Sequence, residues 1–108
     1  MFKVAKTKTV RWPVTVKVPQ DGGRTQDAEF TAEFDVIPQQ TMDAVVLAAG
    51  DLLDRVLIGW EGVADESGQA TPYSSEAKKD LLDITYVRHA LFGAYSEVQQ
   101  GRAAARKN

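Results

Sequence analysis

His89 is the single histidine of the chain, and cysteine is absent. Without a thiol there are no disulfides, no thiolate metal sites and no cysteine nucleophile. His89 stands in a helical stretch with no serine or carboxylate spacing that would complete a triad, so it reads as a structural or surface residue. Gly22-Gly23 lacks the spacing of a phosphate-cradling loop and sits where a tight turn is expected. Asp65-Glu66-Ser67-Gly68 has the composition of a cation loop. It lacks the alternating oxygen ligands and the closing bidentate Glu of a helix-loop-helix calcium site, and reads as an ordinary polar turn. Aspartates are numerous, but none pair in a recognisable acid/base arrangement. No enzymatic activity, cofactor or metal is expected.

The bulk properties narrow the class further. A chain of 108 residues supports one modest core, and 44% apolar with 26% charged residues is an ordinary globular mix. A net charge of −2 argues against a dedicated nucleic-acid binder, although four basic residues fall in the first eleven positions and three in the last seven. Trp12, Phe30 and Phe34 have the types of a base-stacking platform, yet they alternate on the face that has to be buried. No apolar run approaches the roughly 20 residues needed to span a bilayer. No hydrophobic segment follows Lys3 and Lys6, so no signal peptide is expected, and the expected setting is soluble and intracellular.

The elements that position these residues are legible from periodicity. Val10, Trp12, Val14, Val16 and Val18 alternate with polar residues, as do Phe30, Ala32, Phe34 and Val36. Two such runs around Pro19-Gln20-Asp21-Gly22-Gly23-Arg24 predict an antiparallel hairpin over about 8–37. Pro13 marks an edge strand or a bulge, with pairing to a second molecule through that edge as an option. Arg11 and Lys17 on one strand face Glu29, Glu33 and Asp35 on the other. The hairpin's apolar face needs a cover, either a helix or a second copy of the hairpin.

The helical part is expected over about 41–101. Met42, Val45, Val46, Ala49, Leu52, Leu53, Val56, Leu57 and Trp60 recur at steps of three and four, predicting one helix from Thr41 to Trp60 with Thr41 as N-cap. Leu47 and Ile58 fall off that stripe, within about 20° of each other near Asp51 and Asp54. Two readings stand: isolated exposed apolar residues, or a partner surface made of Leu47, Asp51, Asp54 and Ile58. Gly59 and Gly62 are expected to break the helix. A short helix capped by Ser74 or Ser75 follows, then a last one from near Tyr86 to Gly101 carrying Val87, Ala90, Leu91, Ala94, Tyr95 and Val98. The fold class is thus α+β: a single domain over 1–101, with an N-terminal antiparallel hairpin and three or four helices, followed by a basic flexible tail at 102–108.

The string Val56-Leu57-Ile58-Gly59-Trp60-Glu61-Gly62-Val63-Ala64-Asp65-Glu66-Ser67-Gly68, with Trp12-Pro13-Val14, Pro72-Tyr73-Ser74 and Tyr86-Val87-Arg88-His89-Ala90, resembles small tail assembly chaperones of long-tailed, non-contractile bacteriophages and prophages. The similarity runs from about Thr7 to Asn108. Its motif residues here are Gly59, Trp60, Gly62, Asp65, Gly68 and Arg88, expected to be structural. The resemblance implies a self-associating protein that coats the tape measure protein, keeps it soluble, helps recruit the tail tube protein and is absent from the mature virion. It implies action in the host bacterial cytoplasm. Many such proteins have a longer form made by frameshifting; Lys107-Asn108 encoded as AAA-AAC or AAA-AAU after an Arg106 codon ending in A would supply a run of A for it. The alternatives are a small virion protein, such as a head–tail connector or tail completion protein, and, less favoured, a small nucleic-acid-binding regulator.

Overall fold

Alternation of β-branched and polar residues makes the first third of the chain a hairpin, as expected. A computed structural model describes residues 1–4, 8–48 and 50–104. Strand β1 (Lys8–Gln20) runs antiparallel to β2 (Arg24–Val36) in unbroken register from Lys8↔Val36 to Gln20↔Arg24. At the turn Gly22 and Gly23 hold φ of +83° and +76°, a region that a side chain enters only at a cost. Val14, Val16, Phe30, Ala32 and Phe34 are buried, and Pro13 lies on an outer strand of the sheet. Opposite charges do meet on the polar face, with partners other than those expected. Lys17 pairs with Asp27 at 2.7 Å, and Arg11 pairs with Glu61 rather than with Glu33.

The single helix expected from Thr41 to Trp60 does not form. Three elements replace it: α1 (Gln39–Leu47), a short α2 (Leu52–Val56) and a third strand, β3 (Leu57–Glu61). The break has a local cause. The Gly50 N–H donates to the Val45 carbonyl at 2.8 Å, a helix-ending bond, and a Cβ at Gly50 would stand only 3.1 Å from Val45 Cγ1. Asp51 then caps α2 by accepting from the Leu53 N–H at 3.1 Å. The start also differs. Pro38, with φ −63° and ψ 154°, occupies the cap position in place of Thr41, and the helix begins two residues earlier at Gln39. Ala49, counted in the expected stripe, lies outside the described residues.

From Leu57 onward the chain extends because β2 offers an open edge. β3 joins it antiparallel, with Ala32↔Trp60, Glu33↔Gly59 and Phe34↔Leu57 and a bulge between Glu33 and Phe34. The sheet order is β1-β2-β3. Beyond it, α3 (Ser75–Leu82) is capped by Ser74 Oγ, which accepts from the Ala77 N–H at 3.0 Å. α4 (Thr85–Gln100) ends at Gly101 in the left-handed conformation, φ +66°. Both helices match their sequence expectation. Residues 102–104, the start of the expected basic tail, carry no regular structure; 105–108, the rest of that tail, lie outside the described residues.

One apolar layer joins sheet and helices. Phe34, Leu53, Val56, Leu57, Leu91 and Tyr95 are almost wholly buried, each contributing about 1.5–3 kcal/mol of burial. Tyr95 of α4 meets Phe34 edge-on at 5.1 Å, while its hydroxyl donates to the Asp35 carbonyl at 3.0 Å and accepts from the Ile37 N–H at 3.4 Å. Trp12 Nε1–H donates to Glu97 at 3.0 Å, tying β1 to α4. The result is a single α+β domain with a three-stranded antiparallel sheet and, among the described residues, four helices.

Candidate interaction surface

The break at Gly50 strips α1 of a core. None of its nine residues is buried, and it holds to the domain mainly through Met42, which packs against the core margin. Val46 and Leu47 at its C-terminal end are 66% and 88% exposed. Two adjacent aliphatic side chains on a weakly seated helix are the clearest apolar feature of the helical surface. Leu47 was legible in the sequence because it falls off the stripe. Val46 was not, because it falls on a stripe that ends before it reaches the core. The signal that would have exposed it is the Gly50-Asp51 pair, a stop followed by a cap.

The other three candidate residues do not join Leu47 on one face. Ile58 is in β3, half-buried. Its angular proximity to Leu47 belonged to a helix that does not extend that far. Asp51 and Asp54 are engaged in joining elements. The Arg88 guanidinium donates to both Asp51 oxygens, Nη1 at 2.9 Å and Nη2 at 3.1 Å, and also to the Leu82 carbonyl. The hydrogen bond from Arg88 is the main reason that the Asp51 carboxyl is held below its usual range; partial burial works the other way. Lys78 bonds to the Asp54 carbonyl at 2.8 Å, approaches its carboxylate at 3.4 Å and lies over the Tyr73 ring.

The remaining motif residues serve local structure. Trp60, half-buried, donates from Nε1 to the Thr71 carbonyl at 2.8 Å and meets Tyr73 edge-on at 5.1 Å. Gly62 holds φ +84° beside Phe30 where the chain leaves β3. The Asp65 carboxylate is taken up by its own turn, accepting from the Ser67 hydroxyl at 2.6 Å, the Ser67 N–H at 2.9 Å and the Gln69 N–H at 3.0 Å. The hydroxyl bond leads the causes that lower its pKa. Gly68 closes that turn at φ +86°, and Ala64 bridges to Ala70. The polar turn expected from the sequence is therefore a small tight hairpin.

His89 is exposed on α4, beside a groove between α4 and β1 that Pro13, Thr15, Gly93 and Glu97 also line. Among the described residues no group of three histidines, aspartates or glutamates is arranged to hold a metal ion. No helix among them is long and apolar enough to cross a membrane.

A family model described as YdaY prophage protein matches residues 22–108. No curated protein and no solved structure matches the chain.

Proposed function

We propose that this chain, which belongs to the YdaY prophage protein family, is a tail assembly chaperone. In this reading it is a non-enzymatic, self-associating protein of the host cytoplasm. It binds the tape measure protein, keeps it soluble while tail tube subunits assemble around it, and stays out of the finished virion. Prophage membership supports the setting, and the resemblance of the Gly59-Trp60-Glu61-Gly62-Val63 stretch supports the tail-assembly role. The observation that carries the binding role is the pair Val46 and Leu47, held outward on a helix with no buried residue. A long helical client needs apolar strips presented in many copies, and exposed aliphatic residues on a helix are suited to such packing.

Co-expression with the tape measure protein of the same prophage, followed by size-exclusion chromatography with light scattering, tests the proposal. The expected result is co-elution, with the client soluble only when this chain is present. A client that stays insoluble, or elutes alone, overturns it. Detection of the chain in purified virions then favours the small virion protein.

A further inference from the structure

The outer face of the sheet carries a hollow where β3 has a glycine. Gly59 has no side chain to cover Glu33, its partner in the register, and a depression of about 220 Å³ opens there. Ile58, Trp60 and Tyr73 give it an apolar side; Arg11, Glu33 and Glu61 give it a charged one. Arg11 is paired with Glu61. Glu33 is half-buried and, among the described residues, has neither a hydrogen bond nor an ion pair. The hollow therefore has two carboxylates against one guanidinium, and is complementary to one further cation next to an apolar group.

The same chain carries that combination. Phe2 and Val4 are 85% and 78% exposed, with Lys3 between them, and the first twenty residues contain no acid. This segment does not fill the hollow of its own molecule, since its side chains lie in solvent. β1 begins at Lys8, three positions from Arg11 along the same strand, or about 10 Å. The strand that the donor segment leads into thus starts at the end of the sheet that carries the hollow, the arrangement a two-fold dimer needs for both segments to cross reciprocally.

We propose that the hollow over Gly59 receives the N-terminal segment of a second copy, with Phe2 against Ile58 and Tyr73 and the Lys3 ammonium on Glu33. The flexible four-carbon stem of lysine brings the charge back to the carboxylate while Phe2 is seated. This deepens the self-association within the function proposed above. It is tested on the isolated chain without any client, so its failure leaves client binding untouched, and failure of client binding leaves it untouched.

The test is sedimentation equilibrium of the full chain over a range of concentrations, at low and high salt, with circular dichroism as the check on folding. The wild type is expected to form a dimer that salt weakens. Lys3→Glu and Glu33→Lys should each raise the dimer dissociation constant by roughly tenfold or more, and the two together should restore it, since opposite charges meet again. Gly59→Val fills the hollow with a strand-favouring side chain and should abolish the dimer while the domain stays folded. A monomer at every concentration overturns the proposal. So does a dimer that Lys3→Glu and Gly59→Val leave intact, or a charge swap that fails to restore association.

Discussion

Arg88 and Asp51, thirty-seven residues apart in the chain, meet through two parallel hydrogen bonds of 2.9 and 3.1 Å. The same carboxylate caps α2, so one side chain both starts that helix and fastens it to α4. Each partner is about a third exposed, which limits the ion pair to about 0.5–1 kcal/mol after solvent screening.

Arg88→Gln should therefore cost about 1 kcal/mol at neutral pH. Because the folded-state pKa of Asp51 is lowered, the unfolded chain takes up the proton first as pH falls. The contribution is complete above the ordinary carboxylate range near about pH 4 and is lost as pH drops through the folded value. Urea titrations of wild type and variant at pH 7 and pH 2.5 check this: the difference in stability should shrink at the lower pH. An unchanged difference would mean that the arginine acts through packing rather than through the carboxylate.

Tyr95→Phe keeps the edge-on contact with Phe34 and removes the hydroxyl that serves both Asp35 and Ile37. Loss of those partners at a buried strand end should cost about 1–3 kcal/mol. Burial also raises the phenol's pKa, so the folded state favours the neutral form. Its contribution is full below the unfolded value near about 10 and declines as pH rises through the folded one. Thermal melts at pH 7 and pH 11 should show the wild type, but not the variant, losing this part of its stability at high pH.

Two glycines should respond in opposite directions to alanine. Gly62 sits at φ +84°, where a Cβ is strained, so Gly62→Ala should destabilise by about 1 kcal/mol or more. Gly93 lies within α4, and a Cβ there meets nothing within 4 Å. Gly93→Ala should stabilise by roughly 0.5–1 kcal/mol through helix propensity. Melting temperatures of the two variants decide it; a shift in the same direction for both would contradict the backbone argument.

Leu47→Asp and Ile58→Asp should part company. Leu47 is exposed, so its replacement should change stability by no more than about 0.5 kcal/mol while weakening capture of the tape measure protein. Ile58 is half-buried in β3, and a charge there should lower stability measurably. Chemical denaturation and the co-elution assay, run on both variants, separate the two roles. An unfolded Leu47→Asp would place that residue in the core.

The elements governed by local rules were legible in the sequence: the alternating hairpin strands, the Ser74 cap and the glycine end of α4. β3 was not, because Leu53, Val56, Leu57 and Trp60 suit a helical stripe as well as a helix turn followed by a strand. Periodicity over such a short apolar run does not choose between them. The choice came from the open edge of β2, a partner distant in sequence that periodicity does not register. The candidate surface inherited the same error. Leu47 was identified by an angle measured within its own helix, whereas Ile58 was assigned by extending that angle through Gly50. Asp51 and Asp54, candidates for the same partner surface, instead form ion pairs within the molecule, with Arg88 of α4 and Lys78 of α3.

A helix with no buried residue has little enthalpic attachment to the body that carries it. Opening α1 exposes little beyond the half-buried sides of Met42 and Val45, so its free energy of local unfolding should lie far below that of the domain. Its amides are therefore expected to exchange with solvent well before those of α4, without passing through global unfolding. For a client that grips Val46 and Leu47, this makes α1 a compliant handle. It can swing, re-angle or partly melt to follow a long irregular partner while the sheet and α4 keep their shape.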